Sequence, residues 1–199
     1  KVLVEQMSGT LVTIAKDVKI QVEFNPAKVA SYRLIGYENR ILAKEDFNDD
    51  TKDAGEIGAG HSVTALYEIV PTGVDSDVSP AAVDPLKYQE DKKLSDESSS
   101  GELLTLKLRY KLPEQDNSIL LSTVVTDEGR SFATATTDFK FAIAVAAFGM
   151  LLRDSEFKGN ATMDGVLEIA TEGASSDPGG YRGEFLAMVR RAKRLLGDR

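Results

Sequence analysis

The stretch Leu103-Leu-Thr-Leu-Lys-Leu-Arg-Tyr-Lys-Leu112 decides the fold class. Leu104, Leu106, Leu108, Tyr110 and Leu112 alternate with Thr105, Lys107, Arg109 and Lys111. A period of two places these sets on opposite faces of a strand, so the first should face inward and the second solvent. Pro113-Glu-Gln-Asp-Asn117 then supplies turn residues, and Ser118–Thr126 reads as a second strand, which predicts a hairpin. Working outward, Lys19–Pro26 alternates Ile20, Val22 and Phe24 with Lys19, Gln21 and Glu23. Ser31–Glu38 and His61–Val70 read as further strands, with a break at Asn25-Pro26. Alternation in every strand argues for antiparallel sheet with one solvated face rather than a buried parallel sheet.

The last third changes period. Thr137 or Asp138 caps a helix running to about Arg153, apolar around most of its circumference and therefore expected at the centre of the core. A second helix follows Thr162 with Met163, Val166, Leu167 and Ala170 inward, and Asp177-Pro178-Gly-Gly breaks the chain. A third helix, about Tyr181–Leu196, sets Tyr181, Phe185, Met188, Val189, Ala192 and Leu195 on one face, and Gly197 ends it. The predicted fold is α+β: an antiparallel β-sandwich-like sheet followed by three C-terminal helices. Residues 16–130 form the β-rich part, carrying a mobile loop over 72–101, and residues 131–199 the helical part. Lys1–Ala15 is ambiguous between helix and strand and is assigned to the tail of a preceding helix.

Composition narrows the function. Of 199 residues, 42% are hydrophobic and 28% charged, enough for a normal core. A net charge of −8 disfavours nucleic acid and anionic membrane surfaces as partners. No apolar run reaches the roughly 18 residues of a membrane span. The absence of cysteine removes disulfides, thiolate metal sites and cysteine nucleophiles, and a single histidine, His61, cannot build a His-rich metal site. The chain begins at Lys1 within an apolar stretch, which reads as a boundary inside a longer gene.

Asp96-Glu-Ser98-Ser-Ser100 matches the D-x-S-x-S metal signature of type A adhesion domains, but no apolar strand leads into it, so it reads as a Ser-rich linker. The acidic run offers Asp46, Asp49, Asp50, Asp53 and Glu56 as oxygen ligands. An EF-hand register fails there, leaving an irregular Ca²⁺ site against a solvated inter-strand loop. Gly55-Glu-Ile-Gly58-Ala-Gly60 precedes a strand instead of opening a helix, so it reads as a tight turn and not as a phosphate loop. No nucleophile or carboxylate pair accompanies His61 in a recognisable context, so an enzyme is not expected and no cofactor is implied. Arg190, Arg191, Lys193 and Arg194 form the basic cluster, either a partner-docking patch or a complement to the helix C-terminus.

Two blocks carry a resemblance. Ile14-Ala-Lys-Asp-Val-Lys-Ile-Gln-Val-Glu-Phe-Asn-Pro26, running into Tyr32-Arg-Leu-Ile-Gly-Tyr-Glu-Asn-Arg40, resembles the segment that follows the von Willebrand type A domain in YfbK-like bacterial envelope lipoproteins. Glu45–Asp50 to His61–Glu68 and Asp138–Ala142 to Leu151–Ser155 extend it over essentially the whole chain. The resemblance implies that residues 1–15 end the type A domain and that the rest is the family's C-terminal domain. It further implies an upstream metal site, an upstream lipidated cysteine, a location in the cell envelope and protein partners that include the type A domain itself.

Overall fold

A computed structural model describes residues 12–37, 41–74 and 94–197, arranged as two units, Lys1–Asp127 and Glu128–Arg199. The first unit holds β1 (Thr13–Phe24), β2 (Val29–Ile35), β3 (Gly55–Gly58), β4 (Leu66–Pro71), β5 (Glu102–Lys111) and β6 (Ile119–Thr126). The second holds α1 (Thr137–Leu152), α2 (Met163–Gly173) and α3 (Tyr181–Leu196). Two antiparallel sheets followed by three helices make the fold α+β, as the patterning predicts.

The larger sheet has the order β3-β1-β5-β6, and the smaller is the ribbon β2-β4. The β1–β5 register pairs Ile20 with Leu108, Val22 with Leu106 and Phe24 with Leu104, so these share a face. Lys19, Gln21 and Glu23 lie opposite Arg109, Lys107 and Thr105 on the other. Which face is covered departs from expectation. Lys19 and Lys111 are buried, at 3% and 8% exposure, whereas Ile20, Leu106, Leu121 and Val125 are 45%, 37%, 50% and 38% exposed. The reason is the segment around the 3-10 turn Lys44–Phe47, which lays its carbonyl oxygens over the polar face and buries Phe47. On the apolar face, Phe24 packs tilted against Tyr32 and edge-on to Tyr67 of the ribbon, at ring-centroid distances of 4.3 and 5.6 Å.

Other boundaries are corrected. Thr13–Ala15 belong to β1, paired to β3, and not to a helix tail; residues 1–11 lie outside the described residues. Gly55–Gly58 is a strand, and the turn falls at Ala59-Gly60 beyond it. His61–Ala65 are not strand; β4 begins at Leu66. Most of the expected loop over 72–101, namely residues 75–93, lies outside the described residues, and its end forms a 3-10 turn, Asp96–Ser99.

Asn25 joins the sheets. Its backbone N–H donates to the Leu103 carbonyl, and its Oδ1 accepts from Ala27 N at 3.0 Å. Its amide nitrogen donates to the carbonyls of Ser98 and Glu102 at 2.9 and 2.8 Å. One side chain thus fixes the β1–β2 turn against the entry to β5.

In the second unit, Thr136 caps α1 by accepting from Phe139 N, and Thr162 caps α2 by accepting from Gly165 N. Ala144, Phe148, Met163, Val166, Ala170, Phe185, Leu186 and Val189 form the buried cluster. Met163, Val166 and Val189 are almost wholly buried, each contributing about 1.5–3 kcal/mol of transfer free energy. Phe185 stands edge-on to Phe141 and Phe148 at 5.3 and 5.5 Å. Two helix faces differ from the patterning. Only Ala144 and Phe148 of α1 are buried, while Phe139, Val145 and Leu152 are exposed. In α3, Leu186 replaces Tyr181, Met188 and Leu195 in the core.

Arg182 closes this unit. Its Nη1 donates to the Gly173 carbonyl at 2.5 Å, Nη2 donates to the Asp138 carboxylate, and the guanidinium lies 4.9 Å from the Phe141 ring centroid. The first turn of α3 is thereby tied to the C-terminal end of α2 and the N-terminal end of α1.

Candidate functional site

The acidic run meets the basic face of the large sheet. β1 carries a bulge between Lys16 and Lys19, where Asp17 adopts a left-handed backbone (φ 52°), a conformation that Asp tolerates better than most residues. The bulge turns Asp17 toward β5 and the loop. Asp17 Oδ2 accepts from Lys111 Nζ at 2.7 Å, and Oδ1 accepts from Ala54 N at 3.3 Å. Lys111 also donates to the Asp50 carbonyl at 2.8 Å. Lys19 donates to the carbonyls of Asp46 and Asp49 at 3.1 and 2.5 Å. Arg109 Nε donates to Asp50 Oδ1 at 3.1 Å and to Ser118 Oγ at 2.8 Å, and the Ser118 hydroxyl donates to the same Asp50 oxygen.

The electrostatics follow this geometry. The Arg109 guanidinium, with the Ser118 hydroxyl, lowers the Asp50 pKa to about 2. Lys111 holds Asp17 below the usual carboxylate range, and Asp17 in turn raises Lys111. The Thr51 hydroxyl and amide hold Asp49 down through 2.6 and 2.9 Å hydrogen bonds.

The five residues expected to ligate Ca²⁺ therefore do not converge. Asp46 faces Lys52 at 3.8 Å, Asp49 caps Thr51, and Asp50 pairs with Arg109, while Asp53 and Glu56 are exposed farther along. The loop carbonyls of Asp46, Asp49 and Asp50 already accept from two lysines. Among the described residues no three His, Asp or Glu side chains gather as a metal-binding group. What the arrangement does chemically is fasten a loop to a sheet.

The basic cluster divides on α3. Lys193 donates to both oxygens of Asp164 on α2 at 2.7 Å. Arg190, Arg191 and Arg194 remain exposed. At about 100° per residue Arg191 shares a side of the helix with Tyr181, Met188 and Leu195, which are 46%, 52% and 76% exposed, Arg194 flanks that side, and Arg190 lies away from it. Elsewhere, Thr13, Glu56, Ile57, Gly58, His61, Ser62 and Val63 line an open cavity of about 300 Å³ beside β3. In the Asp96–Ser99 turn, Ser98 Oγ donates to the Ser95 carbonyl at 2.7 Å, a local role for the D-x-S-x-S match.

Sequence reasoning missed Lys19, Lys111 and Asn25. The signal for the lysines was the pairing of a strand face bearing Lys19, Arg109 and Lys111 with the adjacent run of aspartates.

The family described as "Uncharacterized protein YfbK, C-terminal" matches residues 9–195. The "Uncharacterized protein YfbK" of Escherichia coli (strain K12) is 41% identical over 189 residues, which cover 95% of this chain. The chain spans only 32% of that relative's length. No solved structure matches it.

Proposed function

The chain belongs to the YfbK C-terminal family, and from that premise we propose that it is a non-enzymatic, protein-interaction module of a longer bacterial envelope protein. Its first partner is the remainder of that longer protein, a region that carries a von Willebrand type A domain, and the module braces or presents it. This arrangement anchors the protein through an upstream lipidated segment and inserts no part of this chain into the membrane. Among the described residues no helix is long and apolar enough to cross one. The net charge of −8 supports a protein partner over nucleic acid.

The observation that carries the reading is the outer side of α3. Tyr181, Met188 and Leu195 stand exposed there beside Arg191, with Arg194 at the flank. Arg, Tyr and Met are enriched at interfaces, and a mixed apolar and basic stripe suits an acidic, partly apolar protein surface.

The test titrates the chain with the separately produced upstream region of a full-length family member, followed by NMR. The expected result is shift perturbation on α3, with at least tenfold weaker binding for the Arg191→Glu/Arg194→Glu variant. Absence of binding at high micromolar concentration overturns the brace. Hydrolysis of a generic ester, phosphate or peptide that is abolished by His61→Ala overturns the non-enzymatic reading.

A further inference from the structure

β6 is an edge strand without the usual protection. Among the described residues it has a neighbour, β5, on one side only. Natural edge strands are blunted by charge, proline, bulges or shortness, because an open row of backbone N–H and C=O groups recruits another strand. Ile119-Leu-Leu-Ser-Thr-Val-Val-Thr126 has no charge, no proline and no glycine. Its pairing with β5 runs without a bulge from Leu104↔Val125 to Tyr110↔Ile119. Every residue from Leu120 to Thr126 is exposed.

Both faces of this strand are apolar. The register sets Leu121 and Val125 in line with Leu108 and Leu104 on the sheet's apolar side, and Leu120 and Val124 in line with Arg109 and Thr105 on the other. Leu120, Leu121, Val124 and Val125 are each 38–50% exposed. A strand added at this edge would satisfy the open backbone groups and cover all four side chains at once.

The flanks choose the occupant. Glu114 and Asp116 precede the strand and Asp127 and Glu128 follow it; Lys16 pairs with Asp116 at 3.7 Å and Arg130 with Glu128 at 2.5 Å, so these flanks hold four acids against two bases. In a second copy paired antiparallel, Asp127 and Glu128 of one chain would come alongside Asp116 of the other at both ends, a like-charge arrangement in molecules of net charge −8. A strand with basic ends meets the opposite situation. We propose that β6 is a docking edge for an extended segment of another protein region, about six to eight apolar or β-branched residues bracketed by Lys or Arg. The inference rests on the interaction-module reading but on a different surface, so it does not depend on α3.

The experiment uses three synthetic peptides with the same alternating Val-Thr core. One has paired lysines at each end, one has paired glutamates, and one is the lysine form N-methylated on every backbone amide of the core, so that neither of its edges can pair. Each is titrated into the whole chain, with NMR and calorimetry as readouts. The lysine form binds at least tenfold more tightly than the glutamate form, and N-methylation removes binding. Asp116→Lys/Glu128→Lys, checked for native circular dichroism, inverts the preference between lysine and glutamate ends. Arg191→Glu/Arg194→Glu leaves peptide binding unchanged, which separates this surface from the α3 surface. No binding of either unmethylated peptide at millimolar concentration overturns the proposal. So does binding that ignores N-methylation, which would place the peptide on a sheet face. A concentration-dependent dimer that excludes the peptide also overturns it, by making a second copy the occupant.

Discussion

Gly173→Ala offers the sharpest test of the helical unit. Gly173 is buried at the last position of α2, where an added Cβ would lie 2.8 Å from both Phe141 Cβ and Phe141 N and 2.9 Å from the Thr137 carbonyl oxygen. Two of these three neighbours are backbone atoms of α1, so no rotamer change relieves the overlap. Reaching an ordinary contact of 3.4 Å requires α1 and α2 to part locally by about 0.6 Å. Overpacking of this kind costs typically about 1–3 kcal/mol. Alanine's better helix propensity returns at most about 1 kcal/mol, and less at a helix end. The net expectation is a loss of about 1–2 kcal/mol, or roughly 5–15 °C in Tm for a unit of this size. Gly149→Ala in α1 is the internal control, since nothing lies within 4 Å of its added Cβ. It should gain about 0.5–1 kcal/mol from propensity alone. The assay is thermal unfolding followed by helical circular dichroism, which reads this unit. If both variants raise Tm alike, the close approach of α1 and α2 at Gly173 is wrong.

Three further outcomes are expected. Asn25→Asp removes the donors to the Ser98 and Glu102 carbonyls and sets a carboxylate against them, costing about 2–4 kcal/mol in the β-rich unit. Tyrosine fluorescence during urea unfolding reads this, and an unchanged midpoint would refute it. Asp50 has a folded pKa of about 2 against an ordinary 3.8, so its stabilisation is complete above about pH 4 and is lost as pH falls toward 2. Asp17 and Asp49 are lowered in the same direction, so the urea midpoint should fall through that window and Asp50→Asn should flatten part of the fall. A midpoint that rises on acidification contradicts this linkage. Calorimetric titration with millimolar Ca²⁺ should show no binding, because the loop oxygens already accept from Lys19, Lys111, Arg109 and Thr51; saturable heat that disappears in Asp49→Asn would reverse that conclusion.

Residues whose local pattern and tertiary environment agree were legible in the sequence. Leu103–Leu112 and its hairpin partner, the cap before α2 and Gly197 after α3 follow from local rules, whereas the cap of α1 is Thr136, one residue before the expected Thr137. β3 was not legible, because Gly55-Glu-Ile-Gly58 has glycine at both ends and becomes a strand only through its partner β1. Alternation around residues 13–18 was blurred by the bulge at Asp17, which shifts the side-chain phase. Alternation also identified the two faces of β5 without saying which is covered. Lys19 and Lys111 were assigned to solvent because nothing local says that an acidic loop returns to cover them. On α3, Leu186 is buried and Met188 exposed because the helix turns toward Phe141 and Phe148 through Phe185. A period fixes a face only to within a neighbouring residue, and the contacts of α3 with α1 and α2 set the rest.

The burial of Lys19 and Lys111 gives the β-rich unit a built-in reporter. An amine reacts with an acylating reagent only when its nitrogen is accessible and momentarily unprotonated, and here both ammonium groups are covered and hydrogen-bonded. Lys52 and Lys158, with side chains 53% and 39% exposed, react from the folded state. Acylation at Lys19 and Lys111 instead waits for the loop to lift from the sheet, so their labelling rate relative to Lys52 measures that opening free energy directly. Once acylated, neither nitrogen is a cation, so the loop loses its charged contacts from Lys19 or Lys111 and returns to its seat only through the remaining ones, Arg109 and Ser118 to Asp50 and Asp17 to Ala54. A single chemical event on either lysine would thus shift the local equilibrium toward the open loop.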